Sequence, residues 1–164
     1  MKIVRNAPRR KAASWIAAVV LVLVSSGCGD SSTAPGASHE QISGTYRGEL
    51  AGIQQGVALV ADFSVTITQS QGDLGGSWSM AGELTDGFDY ADIQGTGALT
   101  GTIGTGQNPS VNLTLRGACP NYEARFSGSY DAANRLITLS GPVDVLAQNC
   151  TVLLSYPMVI ILGR

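Results

Sequence analysis

The chain has 164 residues, with ten Lys and Arg against twelve Asp and Glu, one histidine and three cysteines. Five of the ten basic residues (Lys2, Arg5, Arg9, Arg10 and Lys11) lie at the very start, so from residue 28 onward five arginines face twelve acidic residues, a net charge of −7. That balance excludes a basic nucleic-acid surface and attraction to anionic lipid, and the length suits one modest domain.

In chain order, the basic start leads into an apolar stretch, Ala12 to Val24, and then to Ser25, Ser26 and Gly27. This is the layout of a secretory signal peptide. A stretch of thirteen residues falls short of the roughly 20 needed to span a bilayer as a helix. Residues 1–27, Trp15 included, are therefore expected to lie outside the fold.

Small residues followed directly by Cys28 at the end of such a stretch resemble the lipobox of bacterial lipoproteins. The resemblance implies a diacylglyceryl group on the Cys28 thiol, cleavage before it, and acylation of the new amino group. Ser25 stands where that family prefers an aliphatic residue, and an ordinary secreted protein with a free Cys28 thiol is the alternative. Several acyl chains hold a protein at a membrane far better than one. Gly29 follows the cysteine, where aspartate typically marks inner-membrane retention. The resemblance thus implies the outer membrane, with the protein facing the periplasm or the cell surface. With Cys28 lipidated, Cys119 and Cys150 remain as an even pair in an oxidising compartment, which predicts a disulfide. A metal site on these thiols is not expected, because the sole imidazole, His39, lies in the segment before the fold.

Residues 28–43 are small, polar and broken by Pro35, and read as a flexible tether with an r.m.s. span of roughly 20 Å. His39 is expected to be solvated there. Residues 44–164 show the period of two that belongs to half-buried strands, clearest in Phe63, Val65 and Ile67 and in Val111, Leu113 and Leu115. Turn signals at 70–73, 85–89, 104–109, 119–121, 131–134 and 147–149 divide this region. Eight strands result, near 45–51, 57–69, 74–84, 91–103, 110–117, 122–130, 134–145 and 150–162. The predicted fold is all-β, an eight-stranded antiparallel up-and-down barrel, with a β-sandwich as the alternative. A membrane-spanning barrel is disfavoured, since aromatic girdles are not evident. Residues 158–162 are apolar on both faces, which predicts a covered strand or a partner contact, and Pro157 predicts a bulge or a local edge.

Gly44, Thr45 and Tyr46 open the first strand and resemble the G-x-W start of lipocalins and avidin-type barrels, with Tyr46 in the tryptophan position. The resemblance implies a barrel whose mouth takes a small apolar molecule. Biotin binding is not implied, because Trp78 is the only tryptophan outside the signal peptide.

Alternation places Phe63, Trp78, Met80, Leu84, Tyr122 and Phe126 on inward faces, and Phe63, Trp78, Met80 and Phe126 are the candidate ligand-facing residues. Gly82, Gly95, Gly97, Ala124 and Gly128 would supply room, so a small apolar cavity with no fixed charge is expected. Glu83, Asp86, Asp89 and Asp92 form the one acidic constellation, a calcium candidate without EF-hand spacing; otherwise no metal and no cofactor is expected. Phe88 and Tyr90 between them are read as a barrel cap, a partner contact or local packing. Lysine and histidine are missing from residues 44–164, which removes the usual bases and nucleophiles. The expected function is a non-enzymatic cell-envelope lipoprotein acting on an envelope protein partner or as a structural module. The alternative is a binding protein for a small hydrophobic ligand.

Overall fold

The computed structural model describes residues 38–164; the expected signal peptide, Cys28 and all but the end of the expected tether lie outside the described residues. Eight strands follow one another, β1 (Gly44–Gln54), β2 (Val57–Ser70), β3 (Asp73–Thr85), β4 (Tyr90–Ile103), β5 (Ser110–Arg116), β6 (Glu123–Asp131), β7 (Leu136–Leu146) and β8 (Val152–Gly163). Each pairs with the next and β8 returns to β1, closing an antiparallel barrel in sequence order. That closure replaces the sandwich alternative. Strand ends fall within a few residues of those expected. The largest departure is β1, which runs to a two-residue turn at Gln55 and Gly56 (φ 52° and 83°) closed by the Gln54–Val57 pair. Two positive φ values make the primed hairpin turn, but Gln-Gly lacks the Asn or Asp that usually announces it.

Alternate residues point inward. Leu59, Ala61, Phe63, Val65 and Ile67 of β2, Val111, Leu113 and Leu115 of β5, and Tyr156, Met158, Ile160 and Leu162 of β8 are buried, while Asp62, Thr66 and Asn112 between them are exposed. An apolar interior with polar residues outside is the reverse of a lipid-facing barrel. Exceptions are Val159 and Ile161 on the outer face of β8, 68% and 57% exposed, with Ile53 on β1 and Val60 on β2; no described element covers Val159 and Ile161.

One end is closed. Ile42 is fully buried, and Gln69 clamps its segment by accepting the Ile42 N–H at 2.8 Å and donating to the Glu40 carbonyl at 2.9 Å. His39 Nδ1–H donates to the Gly104 carbonyl at 3.0 Å. The end of the expected tether is thus seated on the barrel, because Ile42 is apolar enough to join the core, and His39 is held rather than solvated.

Tyr46 packs edge-to-face on Tyr130, ring centroids 6.5 Å apart, and its buried hydroxyl has no hydrogen-bond partner. Burial first, then the nearby Tyr130, push the Tyr46 hydroxyl up to about 12, against the opposing pull of Arg164. A folded value above the unfolded one near 10 means that the unfolded chain loses this proton first. Stability should therefore fall as pH rises from 10 towards 12. Tyr46→Phe is expected to be nearly neutral at pH 7 and to flatten that fall; urea midpoints from pH 7 to 11 that change equally in both proteins would refute this.

At the other end the ladders give out. β6 and β7 pair only from Ser127–Ser140 to Asp131–Leu136, β4 and β5 only from Ala98–Arg116 to Ile103–Val111, and β1 meets β8 at the single ladder pair Arg47–Gly163. Within the β7–β8 ribbon Pro142 stands opposite Pro157. Facing prolines cannot exchange hydrogen bonds, so their nitrogens point outward, one towards β6 and one towards β1. Each ladder loses one donor there. The local edge expected at Pro157 exists, whereas the ribbon's irregularity lies at Val145–Leu146.

Candidate ligand cavity

The splayed strands enclose a cavity of about 690 Å³, open to solvent, within the size range of small-molecule sites. Phe63, Trp78, Met80 and Phe126 all line it, with Leu50, Ile93, Leu115, Val143 and Ile160. β2, β3 and β6 bring the first four together because each occupies an inward position of its strand. Trp78 is fixed at both ends: its ring tilts against Phe63 at 6.4 Å between centroids, and its Nε1–H donates to the Arg116 carbonyl at 3.0 Å.

Of the small residues expected to supply room, Gly95 and Ala124 line the cavity, whereas Gly82, Gly97 and Gly128 do not. A Cβ on Gly82, Gly97 or Gly128 would lie 2.2, 1.8 or 1.7 Å from the carbonyl oxygens of Val60, Arg116 and Thr138, so these are places where neighbouring strands press together. A Cβ on Gly95 would meet the Trp78 ring at 2.9 Å. The cavity is larger than expected, and it lies where the β4–β5 and β6–β7 ladders end.

Nor is it free of charge. Asp144 lines the wall on β7, in the stretch that β6 leaves unpaired. Tyr122 donates its hydroxyl to Asp144 Oδ2, while Asp144 Oδ1 is buried with no partner. Burial, followed by the hydrogen bond and charge of Asp144, pushes the Tyr122 hydroxyl above the usual tyrosine range. Among the described residues no Arg, Lys or His lines the cavity. The arginines nearest this end, Arg116 and Arg125, reach outward to Glu123, whose carboxyl they hold below the usual range. Strand alternation turns Asp144 outward, and only the gap beside it brings it to the wall. Its isolation between Val143 and Val145 was the available signal.

The Cys119–Cys150 disulfide is formed, with Cα atoms 5.6 Å apart. It ties the β5–β6 loop to the β7–β8 loop across the gap, and both cysteines border the cavity.

The calcium candidates do not converge. Glu83 and Asp92 are cross-strand partners, whereas Asp86 Oδ1 folds back to accept the Phe88 and Asp89 N–H groups, each at 2.9 Å. Those backbone bonds hold the Asp86 carboxyl below its usual range. Among the described residues no group of three or more His, Cys, Asp or Glu could hold a metal ion. Phe88 and Tyr90 are 91% and 70% exposed at the tip of the same hairpin, so they neither cap the barrel nor pack locally. Comparison of the chain with protein-family models, with curated proteins and with solved structures finds no match in any of the three.

Proposed function

We propose that the barrel is a non-enzymatic binding protein for a small hydrophobic molecule, exported and held at the outer membrane through a lipidated Cys28. The observation that carries the binding reading is the solvent-open cavity of about 690 Å³ with mainly apolar walls. Such walls gain about 25 cal/mol for each Å² of apolar ligand surface removed from water. The anchor reading rests on the sequence before and at Cys28.

The test uses the full chain carrying Cys28→Ser, so that no detergent competes. A neutral naphthylamine probe should bind saturably at micromolar affinity, one site per chain. Ala124→Trp, which fills the cavity from β6, should weaken it at least tenfold with an unchanged circular dichroism spectrum. Equal binding by both proteins would reject the cavity as the site. The same Cys28→Ser chain should leave the membrane fraction; unchanged partition would reject the anchor.

A second reading, an interaction module for an envelope partner, draws on the uncovered apolar residues Val159 and Ile161 on β8, Ile53 on β1 and Val60 on β2. Unchanged behaviour of a Val159→Ser/Ile161→Ser variant in co-purification from native membranes would count against it.

A further inference from the structure

Resting on the ligand-binding reading, we infer that the ligand is an apolar molecule carrying one cationic amine, seated with its ammonium group at Asp144 in the gap between β6 and β7. The wall of the cavity presents a carboxylate whose Oδ2 receives the Tyr122 hydroxyl and whose Oδ1 is buried without any donor. Oδ1 lies too deep for a ligand to touch, so the attraction is that of the carboxylate's charge at the cavity wall, which a charged donor meets better than a neutral one. Among the described residues no side chain supplies such a donor. Among the described residues no Arg, Lys or His lines the cavity, and Arg116 and Arg125 pair with Glu123.

The same arrangement works against anionic ligands. The Tyr122 hydroxyl proton is committed to Asp144, so it is not free for an incoming carboxylate, which would face Asp144 with no cation between them. Asp92, also at the cavity border, adds negative charge on the opposite side. Fatty acids and phosphate-headed lipids are therefore rejected by charge even where their chains would fit. Discrimination comes from this repulsion as much as from attraction to the amine.

The test is displacement of the neutral naphthylamine probe from the full Cys28→Ser chain by dodecylamine, dodecanol and dodecanoate, which share one chain length. In the wild-type cavity the amine should displace the probe at a concentration at least tenfold below that of the alcohol. Dodecanoate should need at least tenfold more than the alcohol. Asp144→Asn should bring the amine to within about threefold of the alcohol measured on the same variant. Asp92→Asn should keep most of the amine's advantage. Equal displacement by amine and alcohol, or an amine advantage that survives Asp144→Asn, would overturn the inference while the cavity reading stands. Absence of probe binding altogether would overturn both. The wild-type series decides the matter even if Asp144→Asn does not fold.

Discussion

Gly97→Ala is expected to cost the barrel about 3 kcal/mol, from overpacking together with lost hydrogen bonds. The added Cβ would stand 1.8 Å from the Arg116 carbonyl oxygen, and the strands can relieve this only by moving apart. That movement takes the Ala98–Arg116 pair, the last rung between β4 and β5. It also takes the Trp78 Nε1–H bond to the same carbonyl, freeing the largest side chain of the cavity wall. Probe binding should weaken together with stability. Gly75→Ala on β3 is the matched control, because its Cβ meets only Thr68 Oγ1 at an ordinary 3.4 Å. A urea midpoint for Gly97→Ala equal to that of Gly75→Ala would show that the strand approach is not needed.

Removal of the disulfide is the second large effect. Cys119 and Cys150 are 31 residues apart, and in the chain-entropy account a loop of that size stabilises by about 3 to 4 kcal/mol. The Cys119→Ser/Cys150→Ser protein should lose about that much in urea, on the order of 10 °C in midpoint temperature. Function should suffer as well. The bond and the Tyr122–Asp144 hydrogen bond are the two ties across a gap that lacks ladder pairs. With the bond removed, the amine's advantage over the alcohol should shrink, because Asp144 is no longer held to one wall. A loss of less than about 1 kcal/mol in urea would mean that the loops are ordered without the bond.

Much of the barrel was legible before any coordinates. The alternation of Phe63, Val65 and Ile67 reports a local fact, that side chains on a strand point to opposite faces, and it survives folding unchanged. The same rule brought Trp78, Met80 and Phe126 to the interior. The even number of cysteines left after Cys28 pointed correctly to the Cys119–Cys150 bond. What was not legible depends on neighbours distant in sequence. Asp144 belongs to the outward parity of β7 and lines the cavity only because β6 stops pairing at Ser127. Gly82, Gly97 and Gly128 were read as room because sequence shows a missing side chain but not the carbonyl pressed against it. Ile42 was read as tether because one apolar residue among polar ones carries no period, yet it finds a buried place beneath the closed end.

The facing prolines have a further consequence, for the behaviour of many copies of the protein together. A strand edge with an unbroken row of N–H and C=O groups is a template on which another chain can add a strand, and that is how sheet proteins polymerise. This barrel carries such edges along its open side, bordered by apolar residues such as Val159 and Leu153. Pro142 and Pro157 remove a donor from each edge of the β7–β8 ribbon, where no neighbouring strand pairs with it. An incoming strand would find its ladder broken at that rung. The barrel can thus stay unlaced at the sides, with its cavity within reach of solvent, while each edge of the ribbon is a poor seed for aggregation.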